Sequence, residues 1–426
     1  MELALIRSAV SKVLVFILAV LILTGLLVLT AMIPVQMIRS KSLESAEYLS
    51  KKELFGTVLE DVEGSRIDKY ADAILLNIAY HYDDGHPFSS VMESAYYFTP
   101  YQEENENYLE AVREDRGATK QYLRYWHGSI AVVRPLLAML NVRQIYILNG
   151  IILIILAAAY FFMTIRKKMH IPALGMGLSL ILTACWFVPL SLEYTWTVEL
   201  MLIFSMIAII LAERHRRETY FIFFMLAGII TNYFDFLTAE TLTLTMPLLL
   251  ILWVERAGTG ERVSRETCVM ALKNVAAWGI GFAGMWVMKW ILASLVLGGN
   301  MMPYVSEHIE ERLSGDLGLN VWQYFTGAVA RNIGCLFPIG YGAFGAFAGI
   351  GLLILAAYIG YVYHRKDFDR GFILLCAAVA LIPYIRFLIL HNHSYLHCFF
   401  TYRAQMAVIF AIVMIIGELT KLYSSG

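Results

Sequence analysis

The sequence predicts an all-α polytopic membrane protein with about ten transmembrane helices, and three observations carry that prediction. Of 426 residues, 59% are hydrophobic and only 16% charged, whereas a soluble domain carries roughly 25% charged and about 45–50% apolar residues. Mean hydropathy is +0.63, and the excess gathers in runs of the roughly 20 residues that a bilayer crossing needs. The runs are continuous and not alternating, so the spanning elements are helices and not barrel strands. A soluble enzyme is thereby excluded. The charge balance, 33 basic against 34 acidic residues, also lacks the basic field that nucleic-acid binding uses. Cys185, Cys268, Cys335, Cys376 and Cys398 form no C-x-x-C pair, so neither a disulfide framework nor a zinc knuckle is indicated.

In chain order, residues 1–34 read as a first transmembrane helix: the apolar run from Val13 to Ile33 follows Arg7 and Lys12, and no small-residue cleavage site closes it. Residues 35–143 are a long polar loop. Residues 144–426 read as a helix bundle, starting with a run from Ile145 to Thr164. Further spans centre near Leu180, Ser205, Met225, Leu249, Met285, Leu353, Ala380 and Ile412, and a second long loop occupies 298–338. The short loops alternate in charge. Arg166, Lys167 and Lys168, then Arg214, Arg216 and Arg217, then Arg256, Arg262, Arg265 and Lys273, then Arg365, Lys366 and Arg370 fall on one side, while the short loops near Glu193 and Asp235 carry no Lys or Arg. The positive-inside rule then puts both termini in the cytoplasm and both long loops outside the plasma membrane.

The first outer loop holds 17 of the 34 acidic residues and 12 of the basic ones. Within it, Ile67, Tyr70, Ala71, Ile74 and Leu75 recur with the helical period, so an amphipathic helix is expected here. Asp68 and Asp72, four apart, would share one of its faces. They are either a solvated face or a functional pair of carboxylates. The second outer loop is amphipathic too: Glu307, Glu310, Glu311 and Arg312 precede Trp322, Tyr324, Phe325 and Arg331, the pattern of a helix lying in the interface. Beyond the next-to-last span, His393 and His397 would share a face if helical, at a spacing that also suits zinc; interfacial hydrogen bonding is the competing reading.

Lys289, Arg331, Arg386 and Arg403 stand in or at the outer ends of spans, where a charge is costly and by default functional, with an anionic partner. Asp235 and Glu240 lie at the same outer face and would pair with those cations in a purely structural reading. Arg124-Tyr125-Trp126-His127-Gly128 and Arg134 precede the second span as interface anchors; their density permits a sugar- or phosphate-binding role. No P-loop, dinucleotide fingerprint or nucleophile elbow occurs.

This layout of a first span, a long acidic outer loop, a helix bundle and a later interfacial helix among cations resembles the GT-C class of integral-membrane glycosyltransferases. The resemblance implies a polyprenyl-phosphate-linked sugar as donor and a glycan, lipid or protein as acceptor. It also implies an acidic residue early in the first outer loop as base or metal partner, a position that Asp68 and Asp72 hold here. The adjacent pair Asp83-Asp84 matches the family pattern more literally but lies later, so the identity of the base stays open. The resemblance further implies that Lys289, Arg331, Arg386, Arg403, His393 or His397 holds the donor phosphate. Tyr80, Tyr96, Tyr97, Trp126, His127, Asp235 and Glu240 would then contact sugar or acceptor. A divalent cation, Mg²⁺ or Mn²⁺, is compatible with the carboxylates, although two alone make a weak site. A transporter or flippase of a lipid-linked sugar, and a non-catalytic subunit, are the rival expectations.

Overall fold

A computed structural model describes residues 2–301, 303, 304, 306 and 317–420. Glu307, Glu310, Glu311 and Arg312 of the expected interfacial helix lie outside the described residues. Every regular element among the described residues is helical. In order, the first twelve are α1 (Glu2–Ala31), α2 (Val35–Leu49), α3 (Lys69–His81), α4 (Pro87–Glu93), α5 (Glu104–Glu114) and α6 (Ile130–Leu136), then α7 (Val142–Arg166), α8 (His170–Leu182), α9 (Leu192–Glu213), α10 (Tyr220–Phe234), α11 (Leu242–Thr259) and α12 (Arg265–Leu297). The helices Val321–Gly334 and Gly342–Val362, a broken helix over 370–389, two short helices over 391–401 and a last helix, Met406–Thr420, follow among the described residues.

Seven of the described helical segments are long and apolar enough to cross a membrane: α1, α7, α9, α12, Gly342–Val362, Arg370–Ile389 and Cys398–Thr420. The remaining three of the ten expected spans are shorter. α8 has 13 residues, about 20 Å at the helical rise, and gives way to a 3₁₀ turn, Cys185–Leu190, that contains Pro189. α10, with 15 residues, stops where the polar loop begins at Asp235. α11, with 18, is apolar until Glu255 and Arg256. α10 lies so close to α12 that a Cβ on Gly228 would come within 2.1 Å of the Trp278 carbonyl oxygen, and one on Gly281 within 2.1 Å of that of Met225. Small residues at such a crossing let two backbones touch, which is how helices pack when lipid offers no hydrophobic gain.

The bundle has two unlike ends. One carries the basic loops, tied by ion pairs: Lys167 to Glu213, Arg217 to Glu255 at 2.9 Å, and Arg256 to both Glu418 at 3.2 Å and Asp369 at 3.6 Å. The other is capped by residues 35–141. Arg134 fastens this cap by donating to the carbonyls of Ile33 (2.7 Å) and Tyr82 (3.0 Å). Trp126 Nε1 donates to Met285 O at 2.8 Å and Trp286 Nε1 to Arg124 O at 3.0 Å, which pins the 116–129 loop to α12.

The expected amphipathic helix exists as α3, with one correction. Asp68 is its N-cap and not a residue of its first turn, accepting from the Ala71 N–H at 2.7 Å. Nor is its polar side solvated: Asp72, Asn77 and nearly all of α3 are buried, because α2 and α5 cover one side and the end of the bundle the other.

Candidate functional site

A cavity of about 550 Å³ lies between α3, the 116–129 loop, the start of α9 and the 391–400 segment. Its polar wall is Asp68, Glu193, Lys120, Arg124, His127, His393 and His397, and its aromatic wall includes Tyr70, Tyr96, Tyr122, Tyr125 and Phe236. Local sequence explains the placement. Asp68 caps α3 while its own N–H donates to Tyr194 Oη at 3.0 Å, and Ser191 caps α9, its Oγ donating to the Asp68 carbonyl at 3.3 Å. The two helix starts therefore meet, and with them the Asp68 and Glu193 carboxyls, which hydrogen-bond each other.

The two expected catalytic aspartates part company. Asp68 is 4% exposed and faces the cavity; burial, assisted by the nearby Asp72 carboxylate, pushes its carboxyl up to about 7, against the pull of the Ala71 N–H and the Glu193 contact. Asp72 points the other way. It accepts from Tyr146 Oη at 2.5 Å, Leu192 N at 2.8 Å, Ser191 Oγ at 3.1 Å and Lys69 Nζ at 3.4 Å, so its lone pairs are taken and it fastens α3 to α7 and α9. Asp83 and Asp84 lie on the exposed 83–86 turn, where Asp83 accepts from Gly85 N at 2.9 Å.

None of the four expected phosphate-holding Lys and Arg residues lines the cavity, and two of them are fully engaged elsewhere. Lys289 is fully buried and donates to Val91 O (2.9 Å) and Met92 O (3.1 Å), closing the C-terminal end of α4. Arg386 is bound to Glu240 Oε1 at 2.9 Å, Ser394 Oγ at 2.8 Å and the Leu237 carbonyl. Arg403 lies over the Tyr194 ring at 4.6 Å and donates to Phe399 O. Arg331 is exposed above Tyr395, 4.7 Å from the ring centre. Only His393 and His397 of that set line the cavity, their rings 4.8 Å apart. His397 caps the C-terminal end of the helix His391–Leu396, its N–H donating to the His393 carbonyl at 3.0 Å, so the two rings stand one helical turn apart. His393 Nδ1 sits 3.3 Å from Arg386 Nη2; a guanidinium only donates, so this nitrogen is the acceptor and the ring proton is on Nε2.

Of the expected sugar contacts, Tyr96 and His127 are on the cavity wall. Tyr80 Oη donates to Asp115 at 3.0 Å, Trp126 is the loop pin already described, and Asp235 is held by Thr197 Oγ1 at 2.5 Å together with Thr238. Glu240 is spent on Arg386, so the structural pairing of carboxylates with cations holds there. Sequence reasoning missed Glu193 and Lys120. Glu193 appeared only as a residue of a short loop lacking Lys and Arg. Arg124, His127 and Tyr125 stood in a stretch that was conspicuous for its density. Among the described residues no group of three or more His, Cys, Asp or Glu converges in a way that would hold a metal ion.

Fold and site thus define a multi-pass helical membrane protein with a buried acidic pair beside cationic and aromatic side chains at one end of its bundle. Compared with known proteins, the chain matches no family model, no curated protein and no solved structure.

Proposed function

We propose that the chain is a GT-C-type glycosyltransferase that moves a sugar from a polyprenyl-phosphate donor to an acceptor hydroxyl. The observation that carries this reading is Asp68: a buried carboxyl raised toward neutrality, opening on a cavity that also holds Lys120 and Arg124. In this reading the helices cross the plasma membrane ten times, the basic loops are cytoplasmic, and the cavity opens at the outer face beside an interfacial Val321–Gly334 helix. The donor phosphate is held by Arg124 and Lys120 with His393 and His397, which stabilise the negative charge it gains on leaving. Asp68 takes the proton of the acceptor hydroxyl as that oxygen bonds to the anomeric carbon and the carbon–phosphate-oxygen bond breaks. A base near pH 7 suits that task, and attack opposite the phosphate inverts the anomeric centre. The ion pairs that close the basic end favour transfer at one face over carriage across the membrane.

The test is a transfer assay in detergent with a panel of synthetic polyprenyl-phosphate sugars, with and without EDTA. Release of polyprenyl phosphate from one donor, lost in Asp68→Asn, supports the reading, and the chelator arm decides whether Mg²⁺ or Mn²⁺ takes part. Unchanged turnover in a folded Asp68→Asn protein removes Asp68 from the mechanism. Absence of turnover with every donor sinks the enzyme reading.

A further inference from the structure

The cavity wall contains buried polar atoms without partners. Glu193 is 5% exposed; beyond its contact with Asp68, its Oε2 meets no donor. His127 is 2% exposed and the Tyr122 backbone runs close to its ring, yet neither ring nitrogen makes a hydrogen bond of good geometry. The ring is held instead by aromatic neighbours, Tyr122 at 4.9 Å, Phe236 at 5.3 Å and Tyr125 at 6.2 Å between ring centres. Its backbone is left-handed, at φ 53°, and the next residue has to be glycine because a Cβ there would sit 2.3 Å from the Tyr233 ring. Glu193 Oε2 and the two His127 ring nitrogens are thus fixed against the cavity without a well-formed hydrogen bond. Buried polar groups in native proteins are nearly always satisfied, so such atoms at a cavity wall mark where a ligand's polar atoms go.

The chemistry of that ligand follows from the wall. Burial and the nearby Lys289 ammonium hold the His127 imidazole down at about 3, so the ring is neutral, with one nitrogen that donates and one that accepts. Hydroxyl groups, which donate and accept, complement such a ring and a carboxyl oxygen together, and the aromatic faces suit the C–H face of a saturated ring. A carboxylate on the ligand would face the proton-sharing Asp68–Glu193 pair, and the negative charge that pair keeps, in a place with little water to screen it, a contact that excludes the wrong partner.

We infer that Glu193 and His127 form the sugar subsite of the cavity, and that this subsite accepts a hydroxylated ring and rejects a uronic acid. The sugar as ligand rests on the glycosyltransferase reading, whereas the partnerless Glu193 Oε2 and His127 nitrogens stand without it.

The experiment is equilibrium binding of the full chain in nanodiscs to decaprenyl phosphate, to its glucose, galactose and mannose conjugates, and to the glucuronic acid conjugate. At least one hexose conjugate binds tenfold or more tighter than decaprenyl phosphate, and the glucuronic acid conjugate gains nothing. Glu193→Gln, which keeps the shape and a donor to Asp68 but takes an ionisable carboxyl out of the pair, narrows the hexose-to-uronate gap to below threefold. His127→Asn, a residue at ease with left-handed backbone, withdraws the ring and loses the hexose gain, while His127→Gln, longer by one carbon than Asn, restores part of it. Glu193→Gln and His127→Asn leave the melting temperature within a few degrees of wild type, because the glutamine can still donate to Asp68 and neither His127 ring nitrogen makes a well-formed hydrogen bond. Uronate binding as tight as hexose, affinities unmoved by both variants, no hexose gain at all, or a large drop in melting temperature would each overturn the inference. Hexose-dependent binding without transfer would sink the enzyme reading and leave the subsite standing.

Discussion

Asp68→Asn changes how stability depends on pH, and the direction follows from burial. The folded protein raises this carboxyl from its ordinary 3.8 to about 7. Between those values the folded state holds a proton that the unfolded chain has released, so stability falls as pH rises through the window. The shift of about three units corresponds to about 4 kcal/mol at 1.36 kcal/mol per unit, a destabilisation that is complete above pH 7 and absent below pH 4. A melting temperature moves about 2–4 °C per kcal/mol in a chain of roughly 200 residues, and about half as much at this length. From pH 4 to pH 8 the wild type in detergent is therefore expected to lose about 4–8 °C more than Asp68→Asn does. The assay is thermal unfolding followed by tryptophan fluorescence across that range. Parallel curves for the two proteins, or a wild type that gains stability between pH 4 and 7, would refute the assignment of a buried, proton-holding Asp68.

The other predictions concern what holds the site in place. Asp72→Ala strands the Tyr146 hydroxyl and the Leu192 N–H and is expected to cost about 3–5 kcal/mol, read as a lower melting temperature with transfer lost only in proportion to unfolded protein; loss of transfer at full stability would contradict a fastening role. Arg386→Met leaves Glu240 buried and unpaired and is expected to cost about 3–5 kcal/mol, much of it regained in the Arg386→Met/Glu240→Leu double variant, which a double-mutant comparison of melting temperatures checks. Gly228→Val forces α10 from α12, so folded yield in detergent is expected to collapse, whereas Gly279→Ala, with nothing near its Cβ, is expected to be neutral.

What was legible in the sequence is what depends on composition and period. The long apolar runs at α1, α7 and α12 and the sidedness of the basic loops follow from residue type alone. The helix near Ile67 was legible too, since its period does not depend on what covers it. Its start was not: whether Asp68 lies in the first turn or caps it depends on the Ala71 N–H and the Tyr194 hydroxyl, which is 126 positions away. The cations were misjudged for a similar reason. Lys289 and Arg386 look unpaired in sequence, but the carbonyls of Val91 and Met92 and the carboxylate of Glu240 that satisfy them are 146–198 positions distant. Glu193 carried no signal because a lone glutamate at a helix start is ordinary; only the meeting of two helix N-termini makes it part of a pair.

The cap at the end of the bundle is made early and completed late. Asp72 waits for Tyr146, 74 residues on, and for Leu192, 120 residues on, while the Gly64 carbonyl accepts from a tyrosine 338 residues downstream, Tyr402. At about 5–20 residues per second of synthesis, roughly 17–70 s separate the emergence of Gly64 from that of its partner. Throughout that interval a segment rich in groups destined for burial has no bundle to cover it. A ribosome-bound chain stopped before residue 391 would therefore lack the 391–400 wall of the cavity, and proteolysis of such stalled chains should cut freely between residues 35 and 141 until Tyr402 has arrived.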